Sequence, residues 1–422
     1  MCMKVAVLGA GMVGVSCAWA LQRRGHDVVL LDRREPGSET SHGNAGVLSP
    51  TSLLPFNHPG LWRQLPQLLM GKNPGFRARA GYLLSHGSAL AAFLAHARPS
   101  VFPVTTTALH GLISYSRGLH AQWLPAAGQA HRWRQDGWLF LYRNVQAWQA
   151  AQWARQLYQA HGLQFETLDA QALTTLEPAL KQGFAHALWV QGAASVDGPG
   201  EVVQALARTV TERGGHFVCD EVRQLQLGTS RGTGWTVHLA QASALEVDRV
   251  VLALGPWSRD FLAAQWGWRL PMIHERGYHM HYSWDGPCLG RPVYDTSGAY
   301  VLSPMGPGVR MTTGVELDHP HSAPRPSMWQ AAEQAARQNL PLGLRLDESA
   351  WLGSRPTLPD SRPMIGAAPA LPDVWLALGH QHIGFSTGPG SGELLASLMS
   401  EEVPPIDPMP FSPLRFGTRW IR

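Results

Sequence analysis

Gly9, Gly11 and Gly14 stand in the run Gly9-Ala10-Gly11-Met12-Val13-Gly14, a GxGxxG spacing that directly follows the apolar stretch Val5-Ala6-Val7-Leu8. Asp32 closes the next apolar stretch, Asp27-Val28-Val29-Leu30-Leu31, and Arg33 follows it. This pattern predicts a strand, a phosphate-binding turn, a helix over 12–24 and a second strand, a βαβ unit that takes a dinucleotide. The first glycine permits the tight turn. The second lets backbone approach a pyrophosphate at the positive helix end, where Met12 and Val13 lie, and the third lets the helix pack closely. Asp32 is suited to accept hydrogen bonds from a ribose, and its charge disfavours a 2′-phosphate. Glu39-Thr40-Ser41-His42-Gly43-Asn44-Ala45-Gly46 is rich in small polar residues, which suits backbone lying against a second phosphate or a flat ring system.

These residues need a parallel sheet to hold them, and further runs supply it. Gly200–Arg213 reads as an amphipathic helix leading through Gly214-Gly215 to a strand at His216–Cys219. Arg249–Leu254 and Val374–Leu378 read as further buried strands, and Gly384–Met399 as a glycine-rich helix. Other segments differ in character. Residues 51–185 are helical and loop-like with one strand, Trp138–Tyr142, while 270–315 alternate polar and apolar in antiparallel fashion. The expected fold is α/β plus α+β: a discontinuous Rossmann-like dinucleotide domain with an inserted substrate domain built on an antiparallel sheet. Segments 1–57, 186–265 and 350–405 are assigned to the first, 58–185 and 266–349 to the second. Residues 406–422 form a C-terminal tail, with the Pro-rich stretch 404–413 exposed.

With 45% hydrophobic and 15% charged residues, the 422-residue chain is globular and long enough for two domains. Its four cysteines are scattered without CxxC pairs, which argues against a disulfide framework or structural zinc, predicts no metal, and points to a reducing, cytoplasmic setting. Residues 5–21 are apolar, but neither a signal peptide nor a membrane span explains glycines at this spacing.

The motifs in order give a more specific reading. GAGMVG, the aspartate of LLDRR and ETSHGNAG are followed by Asp197-Gly198-Pro199, Ala253-Leu254-Gly255-Pro256-Trp257-Ser258, Gly353-Ser354-Arg355-Pro356-x-x-Pro359-Asp360 and Gly379-His380-x-His382-x-Gly384. The chain resembles, nearly end to end, the D-amino-acid dehydrogenase branch of the FAD-dependent D-amino-acid oxidase-like superfamily. The resemblance implies FAD. Gly9, Gly11, Gly14 and Asp32 would hold its ADP half, and Thr40, Ser41, Asn44, Ala45 and Gly46 would lie along pyrophosphate and flavin. Val222 would meet the adenine, Gly255 and Trp257 would lie beneath the flavin, and the helix opening at Ile383 and Gly384 would point at its pyrimidine oxygen. Some relatives attach FAD through a cysteine just before the Arg-Pro pair. Here that neighbourhood holds Ser354, which implies non-covalent FAD.

The same resemblance makes Arg355 a bidentate anchor for the substrate carboxylate and Tyr300 a second donor to it, with Tyr278 a weaker candidate for the pocket wall. The alternatives are a solvated loop arginine and two core tyrosines. His42 and His382 are candidates for helping remove the substrate ammonium proton, or are structural histidines. The implied reaction is oxidative deamination of a D-amino acid by hydride transfer from Cα to flavin N5, with electrons passed to a quinone or carrier. A glycine- or sarcosine-type secondary-amine oxidase and a non-catalytic flavoprotein subunit are the rival readings. The strand Arg276–Tyr282 and His42 supply ring faces and no acid for a cationic side chain. D-proline or a hydroxylated D-proline is therefore expected ahead of D-alanine, with D-arginine poor.

Charge is unevenly spread. Thr40–Gln135 contains no Asp or Glu but holds Arg63, Lys72, Arg77, Arg79, Arg98, Arg117, Arg132 and Arg134, leaving 26 basic against 30 acidic residues elsewhere. With Leu61-Trp62 and Leu65–Met70, this suggests peripheral contact with the inner face of a membrane through residues 51–135; ordinary solvated helix faces are the alternative. No nucleic-acid motif accompanies the charge.

Overall fold

The computed structural model describes residues 2–421 apart from 72, 181–182, 229–233 and 307. Its dinucleotide half is built on a six-stranded sheet ordered His216–Cys219, Asp27–Asp32, Lys4–Leu8, Arg249–Leu252, Val374–Leu378, Met364–Ala367. The first five strands are parallel and the last is antiparallel to its neighbour. Each apolar run read as a buried strand joins this sheet. The runs are continuous rather than alternating because both faces are covered. Val5 and Val7 pack with the helices Met12–Gln22, Pro199–Glu212 and Gly384–Met399. Ala6 and Leu8 pack under the three-stranded meander Val222–Leu227, Trp235–Leu239, Leu245–Val247.

Glycine sets how closely the first layer approaches the site. A Cβ on Gly388 would strike Met12, and one on Gly392 would strike the Ser16 carbonyl, so Gly384–Met399 lies backbone to backbone against Met12–Gln22. Both helices thereby start at the same cavity.

The second half is an eleven-stranded sheet around the long strand Ile273–Trp284, which pairs antiparallel with Gly308–Thr313, Val315–Leu317, Leu342–Arg345 and Trp351–Thr357. Two expected boundaries fall inside it. His186–Val190 and Trp351–Thr357 are strands of this larger sheet, so the segments drawn at 186–265 and 350–405 each begin one strand too early. A motif pattern marks where cofactor residues cluster, not which sheet their backbone joins.

The C-terminal stretch is not an exposed tail. Phe411 and Trp420 are buried, and Arg415 ties it down through two bonds to the Asp360 carboxylate, 2.6 and 3.1 Å. Its prolines supply short 3-10 turns that fold it back over Gly366. No helix among the described residues is long and apolar enough to cross a membrane.

Candidate active site

A continuous cavity of about 970 Å³ runs from Asp32 and Val222 on the dinucleotide half to Arg355 and His382 against the larger sheet. At the first end, Gly9 has φ +107° and leaves no room for a Cβ against the Ala253 carbonyl, a position only glycine fills without strain. Asp32 Oδ2 accepts from Ala10 N–H at 2.7 Å and Oδ1 from Arg34 N–H at 3.1 Å, which fixes the carboxylate at the strand end. Arg33 lies over the Trp257 ring at 4.4 Å and pairs with Glu39 at 3.2 Å.

The loop after the second strand is held from both halves. Ser41 Oγ accepts from Met12 N–H at 3.0 Å, and Thr40 Oγ1 donates to the Ser354 carbonyl at 3.0 Å. Arg310 Nη1 donates to the carbonyls of His42 and Asn44 at 2.6 and 2.7 Å, and Asn44 Oδ1 accepts from Gly46 N–H at 2.7 Å. Thr40, Ser41, Asn44 and Ala45 line the cavity, as do Gly9, Gly11, Met12, Val13, Val222, Gly255, Trp257, Ile383 and Gly384. Gly14 and Gly46 stand behind the wall. A Cβ on Gly14 would strike the Gly9 carbonyl, and one on Gly46, at φ +72°, would strike the Val196 carbonyl.

Arg355 lines the far end. Its guanidinium crosses the long strand at Gly277, where a Cβ would collide with it, and donates to the carbonyls of Gly314 at 3.1 Å and Thr313 at 3.4 Å. It forms no ion pair among the described residues, so the remaining donors are available to an anion in the cavity. The helix start beside it is tightly held. Gln381 takes φ +52°, unusual for a side chain with a Cβ, and its amide bonds the Ser361 carbonyl; His380 Nε2 lies 3.0 Å from Ser391 Oγ. His382 lines the cavity with its ring 5.0 Å from Phe56, and burial, with Arg355 adding to it, pushes its pKa down to about 3. Its imidazole is therefore neutral at pH 7 and suited to hydrogen bonding. A base so weak is poorly matched to taking an ammonium proton.

Two expected site residues, Tyr300 and His42, are elsewhere. Tyr300 is buried in the larger sheet's own core with Leu139, Leu302 and Met280, its hydroxyl beside the Asp295–Arg143 ion pair. Strand alternation turns Val301 to the cavity instead. Tyr278 lines the cavity wall, while its hydroxyl donates to Glu316 Oε2 at 2.6 Å and accepts from Arg325 N–H at 2.8 Å. His42 points behind the loop, 5.6 Å from the His279 ring and 6.1 Å from Trp351, and does not line the cavity. Of the aromatic and histidine-rich strand, Gly277 and Tyr278 reach the cavity and the histidines do not.

Two residues without a motif take those places. Tyr294, the register partner of Val301, lines the cavity with its ring 5.6 Å from Phe140. Glu275 lines it directly opposite Arg355, 2% exposed, which corrects the expectation of an acid-free pocket. Burial raises the Glu275 carboxyl above the usual carboxylate range, with Arg355 opposing.

The model of the FAD-dependent oxidoreductase family matches residues 4–398. The chain belongs to that family. It is 30% identical to a D-amino-acid oxidase of Bradyrhizobium diazoefficiens over 98% of both chains, and 31% identical to a D-amino acid dehydrogenase of Paramagnetospirillum magneticum over 94% of this chain and 95% of that one. Its fold matches the crystal structure of glycine oxidase from Geobacillus kaustophilus with a TM-score of 0.73 at 19% identity, covering 98% of this chain and 99% of that one. FAD is thus the cofactor of this oxidoreductase, and the cavity suits it. One wall carries the glycine turn at a helix N-terminus with Asp32 beyond it, and a second helix N-terminus, at Gly384, opens at the other end.

Of the eight basic residues between Thr40 and Gln135, Lys72 lies outside the described residues. Arg79 pairs with Asp318, and Arg132 and Arg134 share Asp197. Arg77 and Arg117 bond backbone carbonyls, and Arg63, Arg79, Arg98 and Arg117 are exposed. The segment is less of a cationic patch than its composition suggests. Its apolar side is more evident: Trp62, Leu69, Met70 and Leu84 are exposed, while Leu61, Leu65, Leu68, Phe93 and Leu94 line the cavity.

Proposed function

We propose that the chain oxidises a D-amino acid, with Arg355 holding the substrate carboxylate. The observation that carries this reading is a cavity-lining guanidinium without an ion-pair partner among the described residues, fixed by two backbone carbonyls. The relatives named for D-amino acids support it. When bound, FAD supplies the acceptor for the hydride leaving Cα. The chain's own residues bind, orient and exclude water. Arg355 forks onto the carboxylate, Tyr294 and His382 offer neutral hydrogen-bonding groups, and Val301, Phe140 and Phe56 shield the reacting carbon.

Gly9, Gly11, Met12, Val13, Asp32, Thr40, Ser41, Asn44 and Ala45 would hold the cofactor, joined by Val222, Gly255, Trp257, Ile383 and Gly384. We read the attachment as non-covalent, because Ser354 precedes Arg355 and no cysteine lines the cavity. Acid precipitation should leave the flavin in the supernatant; flavin that stays with the pellet would contradict this.

Compact neutral substrates are favoured, since Arg355 and Glu275 are the only charged groups among the described residues at that end of the cavity wall. A distal cation would meet no second acid and would be costly to bury. With one artificial dye as acceptor, kcat/KM should fall in the order D-proline, D-alanine, D-arginine, with L-amino acids, glycine and sarcosine slower than D-proline. A clear preference for D-arginine or for sarcosine would overturn the assignment. Exposed Trp62, Leu69 and Met70 beside the apolar cavity wall support a membrane quinone as acceptor. On that reading, Met70→Glu slows turnover with a long-chain quinone in vesicles and leaves the dye assay unchanged; equal rates in both would sink the membrane contact.

A further inference from the structure

Among the described residues, the cavity wall carries five carboxylates and two guanidiniums, and their placement divides by domain. Asp32, Glu39, Asp220, Glu221 and Arg33 belong to the dinucleotide end, where ribose and phosphates are expected. Glu275 and Arg355 are the charged pair on the larger sheet. They are register partners on antiparallel strands, so both side chains leave the same face of the sheet. Yet they do not form an ion pair with each other. Arg355 leans along the sheet over Gly277 to reach the Gly314 and Thr313 carbonyls. Glu275 stays behind, 2% exposed, with Oε2 lacking a hydrogen-bond partner among the described residues.

A buried carboxylate oxygen without a partner is expensive, and it persists where something outside the chain completes it. Here one positive and one negative group face the same space across a gap too wide for direct pairing. A ligand bearing an anion and a cation on one carbon satisfies both at once, each through a charge-assisted hydrogen bond. We propose that Glu275 receives the cationic nitrogen of the substrate, so that Arg355 and Glu275 together read the two poles of an amino acid. This rests on the amino-acid reading given above and adds to it the group that recognises the amine. Any acid that lacks the nitrogen meets Arg355 while bringing a second negative charge toward Glu275.

The test compares flavin-loaded wild type with Glu275→Gln, which keeps the shape and removes the charge. The probes are D-proline and cyclopentanecarboxylate, a ring of the same size with the carboxylate and no nitrogen. Binding of the second is read from the change it causes in the flavin absorbance and needs no turnover. The Gln variant should bind cyclopentanecarboxylate about three- to tenfold more tightly, since a repulsion is removed. Its kcat/KM for D-proline should fall at least about thirtyfold, as when one partner of a buried charge contact is neutralised. Movement in opposite directions is the signature; a supporting role for Glu275 under Arg355 would weaken both ligands together, and that result overturns the proposal, as does no change in either. Should the Gln variant fail to retain flavin, Glu275→Asp serves: it keeps the charge, so cyclopentanecarboxylate binding should stay within about twofold while D-proline turnover falls, and tighter binding would count against the proposal. If wild type oxidises no amino acid, the amino-acid reading falls and this proposal with it; wild-type turnover with an unchanged Gln variant removes this proposal alone.

Discussion

Arg355→Lys should lower kcat/KM for the preferred amino acid by about 30- to 1,000-fold, chiefly through KM, with flavin content unchanged. Lysine keeps one positive charge but loses the planar fork that meets both carboxylate oxygens. It also loses the bonds to the Gly314 and Thr313 carbonyls that fix where the charge sits. Removing one partner of a buried, hydrogen-bonded charge contact costs about 2–4 kcal/mol, which sets the expected range. The fork also depends on Gly277, because any Cβ there collides with the guanidinium. Steady-state kinetics alongside the flavin-to-protein ratio decides the matter, and a KM within about twofold of wild type would show that Arg355 does not anchor the carboxylate.

The largest expected effect on stability comes from Asp360→Asn, about 3–5 kcal/mol measured by denaturant unfolding of the flavin-loaded protein. Asp360 is 1% exposed and carries Arg415 at 2.6 Å and Arg362 at 2.9 Å, with Arg362 N–H also donating to it. Neutralising the carboxylate leaves two largely buried guanidiniums without their counter-charge, the costly way to break an ion pair. Because Arg415 belongs to the C-terminal stretch, the substitution should also release that stretch from the sheet beside Gly366. Burial alone would raise the Asp360 carboxyl, but Arg415 and then Arg362 hold it below the usual carboxylate range. A depressed folded pKa contributes stability that is complete above the unfolded value near pH ~3.9 and is lost as pH falls through the folded value. Wild type should therefore lose this contribution only in strong acid, and the Asn variant should show a flatter acid limb. A variant within about 1 kcal/mol of wild type would show that the triad is not a stabilising unit.

The dinucleotide half is legible because its signals are local. A strand buried on both faces writes itself as an unbroken apolar run, and a turn that must touch a pyrophosphate writes itself as glycine, so Val5–Leu8, Gly9 and Asp32 declare position and role together. The far end of the cavity is less legible for a specific reason. Strands of the larger sheet are buried on both sides, so alternation gives two faces without saying which one meets the cavity. Tyr300 lies on the face turned from the cavity and its neighbour Val301 lines it instead, whereas Tyr278 lines the wall as expected. His42 fails similarly inside a tight loop, where a shift of one residue turns a ring from the cavity to the wall behind it. Glu275 carries no sequence signal, because a lone glutamate beside Arg276 belongs to no motif. Its partnerless oxygen is visible only once the cross-strand register is known. The prolines of the C-terminal stretch read as a tail, although Phe411 and Trp420 carry the contrary signal of large apolar groups that find burial.

The central claim, that this cavity oxidises a D-amino acid anchored by Arg355, is tested most directly without any electron acceptor. Flavin-loaded protein is mixed with D-proline or L-proline in the absence of oxygen, and the oxidised-flavin absorbance is followed through one turnover. D-proline should bleach it and L-proline should leave it unchanged, while Arg355→Lys at the same subsaturating D-proline should bleach at least about thirtyfold more slowly. Failure of every D-amino acid to bleach the flavin, or equal bleaching by both enantiomers, would contradict the account.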